Sequence, residues 1–193
     1  MSMIKTLIPL GLLAVSLPGA ALACACCADK GSRFEHQVEL GEWELSELAL
    51  LKTDTANLYL SACGLECVAG IDNPRWRYGA NMSISESSVQ IDLSDEAGQA
   101  RGSISFEMPE TYNYFAVDPN PGATLGNPEL YTELRLRGTV SGSGDFGGHS
   151  GVEAELVFSG YGNQCVSAGT FDGWSLTVSG AATQYRLFGG MSQ

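Results

Sequence analysis

The side chains best suited to chemistry in this 193-residue chain are its six cysteines, three of which fall within Cys24-Ala25-Cys26-Cys27. The others, Cys63, Cys67 and Cys165, are spread through the body. Neighbouring cysteines make poor bridges with one another. Consecutive Cα atoms lie about 3.8 Å apart, whereas a relaxed disulfide wants roughly 4.4–6.8 Å. The trio therefore either reaches across the fold to the other thiols or uses its sulfurs for something else. Thiolates are soft donors that select Cu(I), Zn(II) or iron–sulfur centres. Cu(I) accepts two or three sulfurs, so Cys24, Cys26 and Cys27 suit it on a short segment. Zinc would need a fourth donor, which Cys63 or Cys67 would supply. His36 follows the cluster and adds an imidazole, a ligand that suits copper and zinc. Its place on the apolar parity of a strand fits a buried, hydrogen-bonded histidine equally well. The candidate metal ligands are thus Cys24, Cys26, Cys27, Cys63, Cys67 and His36, with Cu(I) favoured over zinc. The competing reading is that all six cysteines form disulfides, the usual outcome in an oxidising compartment.

The compartment follows from the first residues. Lys5 gives a short basic start, an apolar run extends from Leu7 to Leu17, and Pro18-Gly19 breaks it. Ala21-Leu22-Ala23 then supplies small residues for cleavage, so residues 1–23 read as a secretory signal peptide with Cys24 as the mature N-terminus. The run is too short for a membrane span of about 20 residues. Acylated signals place Leu three residues before the cysteine and a small residue next. Here Ala21 and Leu22 stand in the reverse order, which argues against a lipid anchor at Cys24. The expected location is periplasmic or extracellular. Cleavage would also free an α-amino group beside the first sulfur.

Charge narrows the partners. With 22 acidic against 10 basic residues and a formal net charge of −12, the chain is a poor match for nucleic acid, whose backbone needs clustered Lys and Arg. Arg75-Trp76-Arg77-Tyr78 interleaves basic and aromatic residues, but four residues in so acidic a chain do not make a nucleic-acid surface; they read as a strand start. Other chemistry is sparse. Cys63-x-x-x-Cys67 is one residue too long for a thioredoxin-type motif. Asp145, His149 and Ser150 are triad residue types, yet they lie in the glycine-rich stretch Ser141–Gly151, which reads as a hairpin tip that packs no core and lacks the rigid geometry a triad requires. Asp118-x-Asn120-x-Gly122 with Glu129 echoes a calcium loop, but Pro119 and Pro121 break the pattern, and it reads as solvated loop.

The elements that would position these residues are strands. Val89–Leu93, Ala100–Met108 and Tyr131–Val140 alternate apolar and polar residues with period two, Thr111–Val117 is rich in aromatics that suit a strand, and Val152–Phe158 reads as the return strand of a long hairpin. Trp174–Val178 and Gln184–Phe188 continue the series, and Phe34–Leu40 opens it. Trp43–Lys52 is ambiguous between strand and helix, and a hairpin is the favoured reading. The chain is therefore expected to be all-β, an antiparallel β-barrel or β-sandwich of about 8–10 strands. Its organisation reads as signal peptide 1–23, Cys-rich segment 24–33 and a single β domain 34–193. The expected function is non-enzymatic: thiolate metal binding through the cluster, with no nucleic acid and no membrane span. The alternative is a disulfide-stapled barrel that binds a small ligand or a protein partner, the ligand lying inside, as eight-stranded barrels allow.

Overall fold

A computed structural model describes residues 28–59, 64–123, 128–163 and 165–192. The expectations for the signal peptide and for Cys24, Cys26, Cys27 and Cys63 lie outside the described residues. The strands are β1 (Arg33–Glu39), β2 (Thr55–Leu58), β3 (Arg77–Ile84), β4 (Ser88–Ser94), β5 (Ala100–Glu107), β6 (Thr111–Val117), β7 (Leu130–Gly144), β8 (Val152–Gly162), β9 (Phe171–Ser179) and β10 (Gln184–Gly190). Among the described residues one helix, α1 (Glu42–Leu48), and two 3-10 turns, Leu65–Cys67 and Ala168–Thr170, complete the set.

The architecture is a barrel rather than a sandwich. Strands run in the order β7-β5-β4-β3-β2-β10-β9-β8, and β8 pairs back onto β7 to close an eight-stranded antiparallel ring. The 15-residue β7 makes this possible while also carrying an extension. Its C-terminal half pairs β5, as in Phe106↔Val140. Its N-terminal half pairs β6, as in Asn113↔Arg135. β5 and β6 thus lie in tandem along one edge of β7, separated at Met108-Pro109-Glu110, where proline has no N–H to give the ladder. β1 lies outside the ring on β6. The ring is held at its thinnest point by β2 and β10, which share only the register pairs Leu187↔Leu58 and Phe188↔Asn57.

The period-two alternation has its expected consequence. Val89, Ile91 and Leu93 from β4, Leu134, Leu136 and Val140 from β7, and Leu156 and Phe158 from β8 are all buried. Phe106, Met82 and Tyr78 fill the space between them. Each such side chain contributes about 1.5–3 kcal/mol by leaving water. An eight-stranded ring is just wide enough for side chains to fill, and here they do. The grooves bordered by described residues open on the surface.

Two local expectations are corrected. Trp43–Lys52 is not a hairpin: Glu42–Leu48 forms α1. Acidic Glu42 and Glu44 sit in its first turn, where the helix dipole favours them. Leu48 is fully buried, the Trp43 indole N–H donates to the Val166 carbonyl at 3.1 Å, and the Glu47 carboxylate accepts the Ala168 N–H at 2.7 Å. These long-range anchors decide between two local conformations of similar cost. The glycine-rich stretch Ser141–Gly151 also does more than cap a hairpin. β7 continues to Gly144, and the turn folds inward to place Phe146 at 0% exposure and His149 at 6%. The turn plugs one end of the barrel.

Candidate binding face and cysteine sites

Cys67 ends the 3-10 turn that follows β2, and the turn is fixed to the barrel by the Ala69↔Gln184 bridge beside β10. Cys165 lies beyond β8 in the segment that α1 fastens, its amide donating to Asn163 Oδ1 at 3.0 Å. Both are disulfide-bonded. Strand β9 measures the distance between them. Its start, Phe171, neighbours Gly160 near the Cys165 end, and its end, Ser179, neighbours Gln184 near Cys67. At about 3.3 Å per residue the strand spans on the order of 25 Å, so the two cysteines lie toward opposite ends of the barrel. A bridged Cys67 lends no thiolate to zinc.

His36 departs from its expected setting. It shares a sheet face with its register partner Tyr114, which is buried. His36 itself is exposed. On the same face the Tyr114 hydroxyl donates to the Asn163 carbonyl at 3.2 Å. His36 is left stacked on Phe34 at 5.4 Å between ring centroids. Among the described residues no three of His, Cys, Asp and Glu converge as a metal-binding set.

The chain between the cysteine cluster and β1 is fastened rather than loose. Ala28 is buried, the Gly31 N–H donates to Asp118 Oδ2 at 2.8 Å, and the Asp118 N–H donates to the Ser32 carbonyl at 2.8 Å. Lys30 Nζ reaches the Ala123 carbonyl at 2.7 Å. Asp118, read as part of a solvated loop, is buried, and its Oδ1 accepts the Asn120 N–H at 2.8 Å. Its carboxylate binds two backbone amides and so caps a turn.

The residues resembling a triad go to three different partners. Asp145 forms an ion pair with Arg101, His149 Nε2 meets the Tyr185 hydroxyl at 3.1 Å, and Ser150 Oγ meets Ser141 Oγ at 3.3 Å. Phe146 stands between Tyr78 and Tyr185 with ring centroids 5.4 and 6.2 Å away. Burial lowers the His149 pKa, opposed by the Gly70 carbonyl, and burial also raises that of Tyr185. The plug is a neutral, aromatic-lined polar pair.

A concave feature with both apolar and polar walls lies outside the barrel. A groove of about 430 Å³ runs between the Cys67 turn and strands β9 and β10, lined by Tyr59, Val68, Thr177, Gln184, Tyr185 and Arg186 among others. Its volume falls within the usual range for small-ligand sites. A neighbouring groove of about 560 Å³ is lined by Arg137, Glu153 and Glu155, and the Arg137–Glu155 ion pair of 2.9 Å occupies its wall. The sequence pointed to none of the first groove's walls. Arg186 reads simply as an outward residue between buried Tyr185 and Leu187, and only the β2–β10 pairing brings Tyr59 beside it, through the Tyr59 N–H to Arg186 carbonyl bond of 2.7 Å.

Fold and site together define a closed, side-chain-filled antiparallel barrel with a two-strand extension and an external groove. No known protein family, characterised protein or solved structure matches the chain.

Proposed function

We propose that this is an exported, non-enzymatic binding protein that takes a small amphipathic ligand in the groove beside Cys67. The observation carrying this reading is the combination of a filled interior with an external groove having apolar walls, Val68 and Tyr185, and a cationic rim at Arg186. An anilinonaphthalene sulfonate dye, apolar with one anionic group, is the matching probe. Folded protein should bind it saturably, and Thr177→Trp, which fills the groove from its wall, should weaken binding at least roughly tenfold, about 1.4 kcal/mol, without lowering the melting temperature. Dye binding indifferent to that substitution overturns the proposal.

A second reading, thiolate capture of Cu(I) by Cys24, Cys26 and Cys27, is favoured by the fastening of residues 28–33. Ligands entering the fold at a fixed point lose less entropy on binding than ligands on a free tail. Zinc is the lesser candidate, since Cys67 is bridged. Titrating the mature protein with Cu(I) without oxygen should give tight binding that Cys26→Ser with Cys27→Ser removes. If that pair instead supplied structural bridges, the double change would cost roughly 2–5 kcal/mol per lost bridge and lower the melting temperature.

A further inference from the structure

Of the described basic residues, Arg101, Arg135 and Arg137 are engaged by carboxylates. Arg75, Arg77 and Arg186 form no ion pair among the described residues, and all three are exposed. The sheet register gathers them. Arg77 lies opposite Asn57, and Asn57 lies opposite Phe188, so one row crosses β3, β2 and β10 on the outer face. The next row holds Tyr59 beside Arg186, with Arg75 two residues before Arg77 on the same parity. Tyr59 is 56% exposed, Trp76 54% and Phe188 41%. Arg75, Trp76 and Arg77 also line a hollow of about 290 Å³, in which Glu96 is the one acidic side chain and pairs with neither arginine. An acidic protein thus places three of its four described arginines without an ion pair among exposed rings on one open face, the fourth, Arg33, lying apart on β1.

The geometry points to an acidic, uronate-bearing polysaccharide as the partner of this face. Guanidinium groups bind carboxylates bidentately, and exposed rings offer flat apolar surfaces to the C–H faces of sugar rings. The face is open along the strands, which suits a chain. A net charge of −12 repels a partner in proportion to that partner's own charge density, which disfavours nucleic acid with its closely spaced phosphates. β2, β3 and β10 are each paired on both sides, so an acidic peptide finds no strand edge for its backbone. This inference does not require the groove to be occupied, although Tyr59 and Arg186 border both.

The test uses the mature protein in native gels cast with polygalacturonate. Retardation is expected, and none with the fully methyl-esterified polymer, whose carboxylates are masked. Arg75→Gln with Arg77→Gln, both outside the groove, should weaken retardation at least roughly tenfold with an unchanged melting temperature, and Phe188→Ala should weaken it separately. Thr177→Trp should leave it intact, so failure of the groove and failure of this face are read independently. Absence of retardation, retardation indifferent to the arginine changes, or equal retardation by polyglutamate or by single-stranded oligothymidylate overturns the proposal.

Discussion

His149 is the histidine the fold keeps neutral. It is buried at the barrel end against Tyr185, and the nearby Asp145 carboxylate is committed to Arg101, so the Gly70 carbonyl opposes the burial of an imidazolium there without outweighing it. The folded pKa lies below the ordinary value of 6.5. A group whose folded pKa is depressed binds more protons when the chain unfolds. Its stabilising effect is therefore complete above the unfolded pKa and is lost as pH falls below it. Melting temperature should drop between pH values of about 7 and 5, and His149→Gln should flatten that drop. Equal slopes in both proteins would show that the plug does not sense protons. His149 was visible in the sequence as a histidine among glycines, which suggests mobility. What it lacked was Phe146, three residues earlier, whose burial turns the same glycines into the means of a tight inward turn.

At the scale of elements, the strands were legible because both parities carry information: buried Leu134 and Leu136 alternate with Glu133, Arg135 and Arg137. α1 was not, since only Leu48 in it is buried and its conformation is chosen by partners at Val166 and Ala168. His36 was half legible, for parity gives the face of a strand and not how deeply each residue on it is buried. The hairpin tip also escaped, because close backbone approach leaves no trace beyond a glycine. At Gly142 a Cβ would lie 1.8 Å from the Phe146 carbonyl oxygen, whereas at Gly122 it would meet nothing within 4 Å. Gly142→Ala should cost about 1–3 kcal/mol, as overpacking does, and lower the melting temperature, while Gly122→Ala should leave it near the wild type. A Gly142→Ala protein as stable as its parent would mean that the plug tolerates displacement. The candidate binding surfaces were the least legible part. Arg75, Trp76 and Arg77 stood out as a triplet, yet their meaning depends on Arg186 and Phe188, more than a hundred residues away.

Over the whole molecule the barrel is not equally strong all round. β8 pairs with β7 along its full length, from Leu130↔Gly162 to Val140↔Val152, whereas β2 and β10 meet through two register pairs. Local opening takes the least costly route, so backbone amides of Asn57, Leu58 and Phe188 should exchange with deuterium before those of Leu134 and Leu156. Equal protection across both ladders would contradict this. The β2–β10 contact also has a temporal meaning. The β7–β8 hairpin joins neighbouring segments and closes with little loss of chain entropy, while Leu58 must find Leu187 across most of the sequence, a pairing that is slow because a long loop is ordered before any contact rewards it. The barrel is thus a sheet that rolls up from its longest hairpin and is latched last at β2–β10, where its exposed arginines and aromatic rings come together only once the latch is shut.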